Sequence, residues 1–329
     1  LHNLLTDIEG LSVGHATDVH IATGVTAVIF DQPAVTSVSI LGGAPGGRDT
    51  GMLDPSMTIQ AIDAVVLSGG SVFGLDATGG VLDGLRAAGR GIAFGNTRVP
   101  VVSQAILFDL MNGGDKDWGP QSPYHRLGRE AFEAATRDPF PFGTIGAGTG
   151  ATTVNLKGGL GSASAETSTG HRVAALVAVN AMGSVTVGDG SHFWAAPFER
   201  EGEFGGLGYP ASFTPSDTAL RVKGMEPTAT TIGIVVTDAV LTKAEAHRLA
   251  ILGQDGIVRA VHPAHFPFDG DTVFAAATGL KPMADPSAFM EICHFAMVTM
   301  ARAVARGVHA AMALPQPGSK PSWRDRFGT

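Results

Sequence analysis

Short runs of apolar and β-branched residues, parted by turn residues, fill the first forty positions. Residues 11–15, 24–30 and 35–41 each read as a strand. Residues 64–67 are a fourth, wholly apolar run, closed by the turn Ser68-Gly69-Gly70-Ser71. Beyond it Leu75, Thr78, Val81, Leu82 and Leu85 recur at helical spacing, which predicts a helix ending near Gly89. A shorter helical run covers 127–135. Residues 173–179 form an unbroken apolar strand that runs out at Asn180; 232–237 form another, and 272–277 are expected to pair with it. Thr242 with Glu245 three residues on is a capping box, and Ala246, Leu249, Ala250 and Leu252 follow at core spacing, with Asp255-Gly256 expected to interrupt the helix. Asp285-Pro286 opens a last helix carrying Phe289, Ile292, Phe295, Ala296 and Met300 on one face. Between 188 and 229 the pattern dissolves into charged and turn residues, which predicts a long loop or mobile segment. The Pro-rich tail from Pro315 is expected to be loosely held or used at a subunit contact. Strands in two batches with flanking helices predict an α+β fold of two sheets packed face to face, helices outside. No internal repeat is present.

Composition narrows the classes. The chain has 329 residues, 44% hydrophobic and only 16% charged, with 45 glycines, which describes a tightly packed, small-residue protein. Its net charge of −8 and the lack of a basic run argue against nucleic acid as a partner. Cys293 is the single cysteine, so no internal disulfide exists. The first residues lack a basic stretch followed by an apolar core, and no run of about 18 uninterrupted apolar residues occurs, so no membrane partner is expected. A cytoplasmic protein is the expectation.

Several residues carry candidate chemistry. The Gly-rich loop 42–51 lacks the Gly-Lys-Ser/Thr of a phosphate loop, and the 68–71 turn does not spell Gly-x-Ser-x-Gly. That turn does aim a helix N-terminus, whose N–H groups suit an anion or simply end a helix. Lys157, alone among glycines, reads as a buried charge partner or a pKa-shifted group. Asn180 ends an apolar strand, where it offers an amide or makes a turn. Tyr124 lies at the junction of a loop and a helix. Thr230 opens the strand 232–237 as a β-former or, if the chain is cut before it, as a hydroxyl nucleophile with its own α-amine as base. Asp269 and Asp271 stand just before the paired strand. With His262 and His265 they resemble a metal cluster, but Pro263 breaks the helix that would align the histidines, so no metal and no cofactor is expected.

Taken together, Lys157–Ser164, Ala174–Asn180, Thr230-Thr231-Ile232 with Thr237-Asp238, and Asp269-Gly270-Asp271-Thr272 resemble the DmpA-type N-terminal-nucleophile hydrolases, peptidase family S58. Within them the chain looks most similar to the nylon-oligomer hydrolases, whose nucleophile is Thr. Gly14-His15 and the 68–76 turn and helix also match, so the likeness spans roughly residues 5–312. It implies a four-layer αββα sandwich and a single domain, 1–329, that cuts itself into 1–229 and 230–329. The family places its nucleophile seven residues before the Thr-Asp pair, which puts the cut between Ala229 and Thr230, with Thr231 as the rival. Ala229 stands where nylon-type members carry Asn and Ser-type members Gly.

By the same resemblance, Asp269 and Asp271 would support the Thr230 amine and hydroxyl, Lys157 would face these carboxylates and hold the amine's pKa down, Asn180 would donate to the oxyanion, and Tyr124 is a further site residue. The α-amine's ordinary pKa of about 7.7–8.0 suits a base near neutrality. The implied activity is hydrolysis of linear amides, either 6-aminohexanoate oligomers or short peptides, by a homotetramer. An aminopeptidase acting on β- or D-residues, an ornithine acetyltransferase-like acyl transfer, and an uncleaved binding or scaffold protein are the alternatives.

Overall fold

The computed structural model describes residues 1–223, 229–283 and 285–328, so the polar Pro227-Thr228 entrance to the strand at Thr230 lies outside the described residues. Its strands are β1 (Leu11–Asp18), β2 (Thr23–Ile40), β3 (Gly47–Arg48), β4 (Ala61–Ser68), β5 (Ile92–Phe94), β6 (Thr97–Val99), β7 (Val102–Ile106), β8 (Gly159–Glu166), β9 (Arg172–Asn180), β10 (Thr230–Ala239) and β11 (Thr272–Lys281). The α-helices are α1 (Ala77–Ala87), α2 (Tyr124–Glu133), α3 (Lys243–Ala260), α4 (Pro286–His309) and α5 (Trp323–Phe327). Hydrogen bonds link the strands in the order β3-β7-β4-β2-β11-β10-β9-β8, with β1 added to β2, while β5 and β6 form a separate hairpin.

β2 makes this order into two sheets. The sequence suggested two strands either side of Asp31-Gln32-Pro33, whereas the structure has one 18-residue strand with a register shift between Ile29 and Ala34. Pro33 lacks the N–H a regular ladder needs, so the irregularity falls there and the strand bends instead of ending. The first half of β2 pairs with β1 and β4, and residues 35–40 pair with β11.

Side-chain alternation then builds three apolar layers. Val28, Phe30, Val65 and Leu67 of the first sheet meet Leu176, Ile232, Ile234 and Phe274 of the second. On the outer face of the first sheet Ala27, Ile29, Ala64 and Val66 pack against Val81, Leu85 and Leu127 of α1 and α2. On the outer face of the second, Val177, Val235 and Ala275 pack against Leu249, Ile257, Ala296 and Met300 of α3 and α4. The result is the expected αββα sandwich. Glycine sets the spacing of its layers: a Cβ on Gly161 of β8 would lie 1.9 Å from the Ala303 carbonyl oxygen of α4. Helix α4 is long and apolar enough to cross a membrane by length and composition, but 67% of that window is buried inside the fold, as suits a core helix.

Two expectations need correction. α3 runs unbroken through Asp255-Gly256, because a side chain at Gly256 would come within 2.5 Å of the Met297 carbonyl oxygen; the glycine lets α3 and α4 close on each other. The tail is packed, not loose: Ser322 caps α5, and Trp323 lies against Phe193 and His309. The stretch from 188 to 223 is the long loop expected, and it is anchored through buried Phe193 and Phe204 and through Glu203, whose carboxylate accepts from Arg302 at 2.5 and 2.9 Å.

Candidate active site

The strand β10 sits between β9 and β11, so its first residue is fixed from both sides. Thr230 is the register partner of Asn180 on β9, and Ala229 bridges in parallel to Asp269 just before β11. With the Ala229–Thr230 peptide intact, Thr230 Oγ1 donates to the Ala229 carbonyl oxygen at 2.5 Å. The same carbonyl accepts the Gly270 N–H at 3.1 Å. The Gly270 N–H is the donor placed to receive negative charge on that oxygen, while the Thr230 hydroxyl lies against the same carbonyl group. Gly270 has no room for a side chain, since a Cβ would lie 2.7 Å from Thr230 Oγ1.

Thr230 lines a cavity of about 380 Å³. Pro45 and Gly46 of the Gly-rich loop, Ser71, Val72 and Leu75 after β4, and Phe108 line it together with Thr230. The two loops that the sequence left without a role therefore meet at Thr230. Among the described residues, no Asp, Glu, Lys or Arg side chain lines the cavity. Thr231, one residue on, does not line it; its Oγ1 is buried without a hydrogen-bond partner among the described residues, and its N–H donates to Asp271 Oδ1 at 2.7 Å.

The two carboxylates divide their work. Asp269 accepts the main-chain N–H groups of Met182 at 3.3 Å and Phe266 at 3.1 Å. Burial first, and the charge of Asp271 second, raise its pKa above the usual carboxylate range. Asp271 joins Thr231 to a residue the sequence offered only as a metal decoy: its Oδ2 lies 2.8 Å from Nδ1 of His265. His262 turns away, its ring against Trp194, so the four residues form no metal cluster, and none is found among the described residues.

Of the other expected site residues, Asn180 pairs with Thr230 across β9 and β10, while Lys157 and Tyr124 make their hydrogen bonds elsewhere. Lys157 is buried, but its Nζ donates to the carbonyls of Gly148, Ala151 and Gly158 at 2.8–3.0 Å; it does not face the carboxylates as expected. These carbonyls converge on the ammonium although those of Gly148 and Ala151 also accept main-chain N–H groups, and they take the place of the expected carboxylates. Desolvation pulls Lys157 down to about 7. The Asn180 Oδ1 accepts from Thr152 N and Lys223 Nζ, and its Nδ2 donates to the Phe108 carbonyl at 2.9 Å. Burial first, then the charge of Lys320, drives Lys223 well below the ordinary lysine range. Tyr124 lies fully buried beneath the 68–71 turn, where a Cβ on Gly70 would strike its ring. Its hydroxyl donates to Thr23, and Thr23 donates to Asp109, whose other oxygen holds the Gly70 N–H. Tyr124 thus shapes the turn that carries Ser71 and does not touch Thr230.

The profile of peptidase family S58 matches residues 3–320. The chain belongs to that family. It is 38% identical to an uncharacterized aminopeptidase of Mycobacterium tuberculosis, covering 99% of this chain and 98% of the other. A 6-aminohexanoate-oligomer endohydrolase of Paenarthrobacter ureafaciens is 29% identical over 83% of this chain and 74% of its own. Among solved structures, the L-aminopeptidase D-Ala-esterase/amidase of Ochrobactrum anthropi, described as a variant of the Ntn-hydrolase fold, superposes with a TM-score of 0.70 at 19% identity, covering 99% of this chain and 92% of its own. A Burkholderia sp. β-aminopeptidase has the same TM-score at 21% identity, covering 100% and 92%. The S58 chain therefore has the Ntn-hydrolase fold and is a hydrolase of peptide or amide bonds, of DmpA type.

Sequence reasoning missed four contributors to this S58 site: His265, the Gly270 N–H, Lys223 and the Asp109–Thr23 pair. Only His265 had a visible signal, four residues before Asp269 in a Pro-bracketed turn.

Proposed function

We propose that the chain is an autoprocessing amidohydrolase, which cuts itself between Ala229 and Thr230 and then uses Thr230 as an N-terminal nucleophile on short linear amides. One observation carries this reading: Thr230 lines the cavity and its Oγ1 lies 2.5 Å from the carbonyl oxygen before it, while Gly270 N–H holds that oxygen. In the precursor the hydroxyl oxygen bonds to the Ala229 carbonyl carbon, the C–N bond breaks, and the hydroxyl proton passes to the departing nitrogen. Water then cleaves the resulting ester, which leaves an Ala229 carboxylate and restores the Thr230 hydroxyl beside the α-amine freed in the first step. That amine is the base for the next hydroxyl attack, now on substrate. Asp269, raised toward neutrality, is the nearby carboxyl suited to exchange a proton with it.

The cavity supports one substrate class above the other. An α-aminoacyl group would place an ammonium next to the reacting carbon, in a cavity whose described lining offers it no carboxylate. A 6-aminohexanoyl group carries its ammonium five carbons away, within reach of solvent. The reading is therefore hydrolysis of ω-amino-acid oligomers, with α-aminoacyl peptides as poorer substrates. Two measurements test it. Intact mass of the aged, folded protein should give fragments 1–229 and 230–329, and T230A should remain one chain without hydrolase activity; a T230A protein that still splits refutes the nucleophile. Relative kcat/KM on 6-aminohexanoate trimer and trialanine tests the substrate: a preference for trialanine refutes the ω-amino reading.

A further inference from the structure

His265 is not used by the chemistry above, yet its surroundings are built for a purpose. It holds a left-handed backbone, φ +61°, which few non-glycine residues adopt. That conformation brings two donors onto one oxygen: its main-chain N–H lies 3.2 Å, and its Nδ1 2.8 Å, from Asp271 Oδ2. The other Asp271 oxygen accepts the Thr231 N–H at 2.7 Å, next to the proposed nucleophile. The imidazole is 14% exposed, the Asp271 side chain 2%, so the pair is shielded from competing water.

We propose that His265 is a positioning residue of the Thr230 site, locking Asp271 in the rotamer whose second oxygen pins the Thr231 N–H and thereby the main chain that aims Thr230 Oγ1. This rests on Thr230 being the nucleophile. The Asp271 main chain is held separately, because its carbonyl accepts from Leu41 and Gly42, so loss of the imidazole frees the carboxylate while the strand stays in place. The charged groups facing His265 are Asp271 and, further off, Asp269. Burial draws the imidazole toward its neutral form, but the hydrogen bond and charge of Asp271 outweigh this and raise its pKa. A cationic donor to a buried carboxylate is the stronger kind of hydrogen bond.

The test is the time course of self-cleavage, followed by intact mass on freshly synthesised full-length chain, which needs no substrate. H265G and H265N both tolerate a left-handed backbone, and only asparagine keeps a donor at the place of Nδ1. The expected result is that H265G processes on the order of 10- to 100-fold more slowly, H265N stays within about threefold of wild type, and both keep the wild-type circular dichroism spectrum. A folded H265G that processes at the wild-type rate overturns the proposal, as does H265N as slow as H265G. Should H265G not fold, H265N against H265L decides, since both fill the site and only asparagine donates; equal rates overturn it. T230A run alongside separates the two ideas. If T230A stays intact and H265G is unaffected, only the role of His265 falls, whereas a self-cleaving T230A removes both.

Discussion

Gly270→Ala puts one methyl group where the structure has no room for it. The new Cβ would lie 2.7 Å from Thr230 Oγ1, 3.0 Å from Thr230 Cγ2 and 2.9 Å from the Ala44 carbonyl oxygen. Ordinary contact is about 3.5–4.0 Å, so the Thr230 side chain must retreat by roughly 0.5–1 Å. Gly270 is absent from the positive-φ residues, so alanine brings no strain from its own φ, but the Ala44 main-chain oxygen must also give way, and folding costs about 1–3 kcal/mol. The effect on chemistry is larger, because a displacement of about 1 Å from the attack geometry costs on the order of 100-fold in rate. G270A should therefore fold, melt up to about 10 °C below wild type, and self-cleave on the order of 100-fold more slowly. The assay is intact mass against time, with thermal melting in parallel. G51A is the control, since a Cβ there meets nothing within 4 Å. Wild-type processing by a normally melting G270A would refute the placement of Thr230 Oγ1 as the attacking atom.

Other perturbations have equally direct readouts. G161A should be severely destabilised, by about 3 kcal/mol or more in urea unfolding, because its Cβ would meet the Ala303 main-chain oxygen at 1.9 Å and neither backbone can yield. E203A should cost about 3–5 kcal/mol in the same experiment, as it leaves Arg302, 2% exposed, without its carboxylate. Lys157 near 7 in the fold and near 10.5 unfolded means the unfolded chain binds more protons between those values, so its contribution to stability rises with pH across that window. K157M should flatten the rise by up to about 1.4 kcal/mol per pH unit, seen by denaturation at pH 7, 8 and 9; an unchanged slope would mean that Lys157 is charged in the fold.

The parts of the molecule legible in the sequence are those with strong local signals. The Thr242–Glu245 capping box and the Asp285 cap with Pro286 appear where expected, because each is satisfied within one turn of helix. The apolar strands β9, β10 and β11 were visible because both of their faces are buried. The fusion of two predicted strands into β2 was not visible, since Pro33 looks locally like a break and only the partners on either side carry the strand through. At the candidate site, Thr230, Asp269 and Asp271 were singled out by family resemblance. Their actual partners were not, because the choice of a lysine between a carboxylate and three carbonyls, or of an aspartate for a histidine, depends on loop paths that no local pattern encodes. The Lys157 ammonium was assigned to the wrong neighbours for that reason.

The strand order has one more consequence. Strands β10 and β11 come from the segment after Thr230, yet both of their outer neighbours, β9 and β2, come from the segment before Ala229. Eight residue pairs stitch β10 to β9 and six stitch β11 to β2. A cut at Ala229–Thr230 would therefore turn one polypeptide into two dovetailed pieces, each holding half of a joint the other completes. Neither dilution nor gel filtration should part them, and only unfolding would reveal that the backbone has been severed.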